Sequence, residues 1–121
     1  YVIGCSPENS AVMVHSVKKG EILDLESLPT LSDGTAGGIE KHSITFPICK
    51  DNIDETVLVS ETEIKNAMIS FIENERLLLE GAAGTAVATL IKMKDKIKGK
   101  RVGVVICGGN VSLDVIKNIL N

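Results

Sequence analysis

The chain has 121 residues, 44% hydrophobic and 24% charged, with a formal net charge of −3. That length suits one domain able to bury a real apolar core without disulfides or metal. Aromatic residues make up only 2%; Tyr1, Phe46 and Phe71 are too few rings for stacking single-stranded bases, and the acidic balance opposes phosphate-backbone binding. No nucleic-acid partner is therefore expected. No membrane partner is expected either, because no apolar run approaches the ~18 residues of a membrane helix. Cys5, Cys49 and Cys107 are odd in number and widely spaced, which indicates neither a disulfide framework nor a zinc site. They fit a reducing, cytoplasmic setting.

Tyr1–Cys5 reads as a short strand, apolar on both faces as parallel strands usually are. A chain that opens inside a strand-like run, without Met, is expected to be a piece of a longer protein. Pro7 and Glu8 open a helix that turns Ala11, Val12, Val14 and Val17 inward, and Gly20 ends it after Lys18 and Lys19. Residues 21–51 read as irregular, with Pro29, Pro47 and the cluster Ser32-Asp33-Gly34-Thr35-Ala36-Gly37-Gly38. Such a crowd of turn-forming residues marks unusual dihedrals or a close approach, or simply a long surface loop.

Thr56–Val59 reads as a second strand. Ser60-Glu61-Thr62-Glu63 has capping-box form, and a helix with Ile64, Ala67, Met68, Phe71 and Ile72 at helical spacing is expected to run to about Leu79. Glu80-Gly81-Ala82-Ala83-Gly84 reads as an interruption, followed by an Ala-rich helix from Thr85 to about Met93. The six cations among the ten residues from Lys92 to Arg101 form a solvated run. Val102-Gly103-Val104-Val105-Ile106 is the clearest strand by composition. It runs into Cys107-Gly108-Gly109-Asn110 and then a last helix, Ser112–Leu120. Alternating strands and helices predict an α/β, three-layer sandwich: a mostly parallel sheet with helices on both faces.

A strand that ends in Cys-Gly-Gly-Asn before a helix places glycines where parallel sheets bind ligands. Neither GxGxxG nor GxxxxGK[ST] occurs. Cys107 could act as a nucleophile if His15 or His42 reached it as a base. There is no HExxH and no acidic metal cluster.

The ordered set Gly4-x-x-Pro7-Glu8-Asn9, Leu31-Ser32-Asp33-Gly34, Phe46-Pro47, Val59-Ser60-Glu61-x-Glu63-Ile64, Leu79-Glu80-Gly81-Ala82 and Val105-Ile106-Cys107-Gly108-Gly109-Asn110 resembles a known family. That family is the threonine and serine dehydratases with serine racemase, fold-type II pyridoxal-phosphate enzymes. The resemblance spans almost the whole chain, in order, and matches the later portion of the family's catalytic region. It implies residues 1–121 as a single αβ segment of that region and pyridoxal 5'-phosphate as cofactor. It further implies an amino-acid substrate and a homo-oligomer.

The resemblance assigns Cys107 to the pyridine nitrogen of the cofactor, with Gly108 and Gly109 beside it. A neutral partner there does not hold a proton on the nitrogen as an aspartate would, which suits β-elimination. Glu80 matches an acidic residue near the ring, and Asp33 and Gly34 match a turn on the substrate side. Asn110 matches a nucleotide-contacting or structural position.

Two departures stand out. Where cation-binding members carry several acids, this sequence has Ser6, Ser10, Ala11 and Val12, with Glu8 the only nearby carboxylate, so no Mg²⁺ or Ca²⁺ is expected. The lysine that carries the cofactor and the glycine-rich phosphate loop have no counterpart, so no catalytic residue is assigned here. The expected activity is dehydration of threonine or serine to a 2-oxo acid and ammonia by the full-length enzyme, with residues 1–121 inactive alone. The alternatives are racemization of serine or a related amino acid, and a non-enzymatic amino-acid-binding module.

Overall fold

The computed structural model describes all residues 1–121. Strand β1 (Ile3–Pro7) pairs in parallel with β2 (Glu55–Val59), with Ile3 opposite Glu55 and Pro7 opposite Val59. Between them lie helix α1 (Val12–Lys19), a long connection and helix α2 (Thr45–Asn52). After β2 come α3 (Glu61–Glu75), α4 (Gly81–Lys92) and α5 (Leu113–Leu120). The expected α/β fold with a parallel sheet is present, and α1 and α4 both pack on β1. No helix is long and apolar enough to cross a membrane.

Local signals hold where they act over three or four residues. Gly20 takes a left-handed conformation (φ 82°) and closes α1, donating its N–H to the Ser16 and Val17 carbonyls. At α3 the Ser60 hydroxyl accepts from the Glu63 N–H (3.2 Å), while the Glu63 carboxylate accepts from the Ser60 N–H (2.8 Å). Lys92 donates to that carboxylate (3.1 Å) and to the Leu58 carbonyl (2.9 Å), tying the end of α4 to β2 and α3. Ile64, Ala67 and Met68 form the buried stripe of α3. With Val59, Leu79, Ala83, Ala88 and Ile119 they make the core.

Four expectations are corrected. The irregular stretch contains α2, because Pro47 stands in its first turn, where a missing N–H breaks no helical bond. Helix α3 stops at Glu75, and Arg76 (φ 60°) caps it in the left-handed region, short of Leu79. Gly81-Ala82-Ala83-Gly84 is no interruption but the start of α4, and all four residues are buried. Their small size lets α4 lie close to α3: a Cβ on Gly84 would come within 2.8 Å of Met68 Cγ.

The fourth correction concerns residues 102–106, which form no strand. Val102, Val105 and Ile106 are 48%, 77% and 45% exposed. A cavity of about 460 Å³, lined by Ile3, Cys5, Leu90, Met93, Val102 and Val104 among others, separates them from β1. A strand exists only as a member of a ladder. Apolar composition alone does not supply the partner.

Candidate functional site

The loop after α3 brings Leu79 into the core and leaves Glu80 as the cap residue of α4, with extended backbone (φ −75°, ψ 159°). Its side chain does not cap the helix. It turns instead toward the chain that follows the expected last strand. One carboxylate oxygen accepts from the Asn110 N–H (3.2 Å), and the other lies 4.0 Å from the Cys107 thiol. The Glu80 N–H donates to the Gly108 carbonyl (3.2 Å), so backbone and side chain hold the same loop.

The glycines in this loop are needed for close approach. A Cβ on Gly108 would collide with the Glu80 carboxylate, and one on Gly109 would stand 3.0 Å from the Leu78 carbonyl oxygen. Cys107 is exposed, so its thiol is open to an incoming group.

A third segment reaches the same place. Asp33–Thr35 forms one turn of 3₁₀ helix against α4. A Cβ on Gly34 would lie 3.7 Å from Ala82 Cβ and 3.9 Å from Glu80 Oε1. The Asp33 carboxylate accepts from the Gly34 N–H (2.8 Å) and shapes its own turn. The structure thus gathers Gly34, Glu80, Cys107, Gly108 and Asn110 at one carboxylate. Asp33 stands beside them, exposed, and Gly109 closes the loop from behind.

Three contributors escape sequence reasoning. Gly81 admits the Leu31 backbone, because a Cβ there would fall on the Leu31 carbonyl oxygen and within 2.8 Å of Ser32 N. Glu61, read only as part of a capping sequence, accepts from the Leu31 N–H (2.7 Å). Leu78 matters through its carbonyl. The one sequence signal nearby is the Ser32–Gly38 cluster, read as unusual dihedrals or a close approach, which follows Leu31 directly.

The arrangement with a histidine base is not assembled. His15 is exposed on α1, and His42 lines a separate surface cavity with Met13 and Ile39. The Cys107 thiol instead has Glu80 as its neighbour. No lysine or arginine joins the hydrogen bonds of Glu80, Cys107, Asn110 or Asp33. What the site offers is an exposed thiol, a carboxylate and side-chain-free backbone. That set, with no lysine or arginine in it, suits the edge of a planar ring.

A family model for pyridoxal-phosphate dependent enzymes matches residues 1–108. The L-threonine ammonia-lyase of Thermotoga maritima is 38% identical over 121 residues, 99% of this chain and 29% of that protein. The crystal structure of serine racemase from Dictyostelium discoideum superimposes with a TM-score of 0.81 at 36% identity. That match covers 93% of this chain and 36% of the racemase. The processed form of threonine deaminase isoform 2 from Solanum lycopersicum gives a TM-score of 0.83 at 27% identity, covering 97% and 34%. The chain therefore spans about a third of the length of these relatives.

Proposed function

Because this chain belongs to the fold-type II pyridoxal-phosphate dependent enzymes that include threonine dehydratases and serine racemase, we propose that it is the later portion of the catalytic region of a hydroxyamino-acid dehydratase. The complete enzyme removes water from L-threonine or L-serine and releases a 2-oxo acid and ammonia. The observation that carries this reading is the meeting of residues 33–34, 80–82 and 107–110, far apart in sequence, around one carboxylate.

The residues present fit the ring of the cofactor. When bound, pyridoxal phosphate supplies an electron sink for the α-carbon of the amino acid. Cys107 would face the ring nitrogen, where a partner without charge would not hold a proton; that would moderate the sink and favour loss of the β-hydroxyl. Gly108 and Gly109 keep side-chain bulk away from the ring. Glu80 holds the Cys107–Asn110 loop in place, and the Asp33–Gly34 turn lines the substrate side. The covalent attachment needs a lysine, and neither lysine nor arginine joins the hydrogen bonds of this site, so we place the attachment, and the cations that would hold the phosphate, outside residues 1–121. For the same reason residues 1–121 alone are expected to turn over nothing. The enzyme works as a homo-oligomer in the cytoplasm.

The test is ammonia and 2-oxo acid release by the complete enzyme, supplied with pyridoxal phosphate, from L-threonine and L-serine. Release from either supports the reading; none from both overturns it. The likeness to the Dictyostelium serine racemase favours a second reading, racemization of serine, and chiral analysis of serine from the same incubation tests it.

A further inference from the structure

The Asp33–Gly34 turn has no firm hold on the site it borders. The Asp33 carboxylate is taken up by the turn itself, and even a Cβ on Gly34 would meet Glu80 and Ala82 only in ordinary contact. Yet the turn is a rigid block. The Thr35 N–H donates to the Ser32 carbonyl (3.0 Å), and the Ser32 and Thr35 hydroxyls are 2.6 Å apart. Ser32, fully buried, donates its N–H to Thr30 Oγ1 (3.1 Å). On its far side the Gly37 N–H donates to Ser10 Oγ (3.0 Å); on the side of the site, the block goes where Leu31 goes.

Leu31 is held from two sides. Its carbonyl lies against the bare Cα of Gly81, and its N–H donates to Glu61 Oε2 at 2.7 Å. That length belongs to a charge-assisted bond, about twice as strong as a neutral one. Glu61 is the first residue of α3, where the helix dipole favours a negative charge. Its other oxygen is buried with no hydrogen-bond partner. The carboxylate therefore serves this one N–H, at the expense of leaving an acceptor unsatisfied. A residue needed only to start a helix would face water with both oxygens.

We infer that Glu61 is the positioning residue of the substrate-side turn, fixing Asp33 and Gly34 beside Glu80 through the Leu31 N–H. The inference rests on the assignment of that turn to the substrate side. It makes substrate affinity, rather than cofactor binding or the chemical step, depend on a residue in another helix.

The test compares the complete enzyme with its Glu61→Ala, Glu61→Asp and Glu61→Gln variants. Hydrogen exchange of residues 29–36 is measured alongside KM, kcat and titration with pyridoxal phosphate. Loss of the acceptor in Glu61→Ala should speed exchange at Leu31 about tenfold and raise KM for the amino acid about tenfold. Change in kcat should stay under about threefold, and cofactor affinity should not move. Glu61→Gln, which keeps an acceptor of the same reach, should restore KM to within about threefold. Glu61→Asp keeps the charge but is one methylene short, so it should resemble Glu61→Ala; it carries the test if Glu61→Ala does not fold. Unchanged exchange and KM in Glu61→Asp overturn the inference, and so does a parallel fall in kcat and cofactor affinity. The exchange readout needs no turnover, so an inactive wild-type enzyme would defeat the functional reading without touching the Leu31 contact.

Discussion

Replacing Gly81 by Ala should destabilise the protein, although the substitution favours a helix. Gly81 is the first residue of α4, so the gain is at most the helix-interior figure of about 1 kcal/mol in favour of Ala. Here the new methyl group falls on the Leu31 carbonyl oxygen and within 2.8 Å of Ser32 N, and both are backbone atoms that cannot rotate away. Residues 31 and 32 must retreat together. Retreat breaks the 2.7 Å bond from the Leu31 N–H to Glu61, worth about 1.5–3 kcal/mol for a charged acceptor. Overpacking adds about 1–3 kcal/mol. Set against a helical gain of at most about 1 kcal/mol, the net loss is about 1.5–6 kcal/mol. Two other glycines calibrate it. Gly84→Ala meets Met68, a flexible side chain able to give way, and should lose about 1 kcal/mol. Gly103→Ala meets nothing within 4 Å and should stay within about 0.5 kcal/mol of wild type. Urea unfolding of the complete enzyme, followed by far-ultraviolet circular dichroism, ranks the three. A Gly81→Ala variant as stable as Gly103→Ala would show that Leu31 does not cross α4 at this point.

The capping box makes a pH prediction. The Ser60 N–H, helped by Lys92, holds the Glu63 carboxyl below the usual carboxylate range despite some desolvation. Its stabilisation is complete above the unfolded value, near 4.3, and disappears as pH falls through the lower folded value. The stability gap between wild type and Glu63→Gln should therefore be full at pH 7 and close toward pH 3; a gap that widens on acidification would reverse the sign. Cysteine chemistry separates two thiols: burial pushes the Cys5 thiol up, against the opposing influence of the Thr89 hydroxyl, whereas Cys107 is exposed. Iodoacetamide at pH 8 should label Cys107 before Cys5, and pyridoxal phosphate should slow only the Cys107 reaction; mass spectrometry of the peptides would expose the opposite order. A carboxylate in place of the Cys107 thiol would stand about 4 Å from that of Glu80, a repulsion on the order of 4 kcal/mol at an effective dielectric of 20. Ammonia release by Cys107→Asp should fall more than tenfold, with Cys107→Ser within severalfold of wild type. Equal activity of the two would remove Cys107 from the ring nitrogen.

What could be read from the amino acids alone is what short-range chemistry decides. The Ser60–Glu63 box, the left-handed Gly20 and the Ser112 cap of α5 each close a hydrogen bond within four residues. The two parallel strands were legible in part, from the short apolar runs at Tyr1–Cys5 and Val57–Val59, although β1 itself spans Ile3–Pro7. The ordered motifs also carried the family, since each is a short string. Tertiary structure decided the rest, because its causes lie far along the chain. Residues 102–106 have the composition of a strand, but no ladder partner reaches them across the cavity beside β1. Gly81–Gly84 looks like a break and is a buried helical turn, since small side chains serve equally to bend a chain and to let Leu31 and Met68 come close. Glu61 reads as helix-start chemistry, and only its 2.7 Å bond to a residue 30 positions away ties it to the turn beside Glu80.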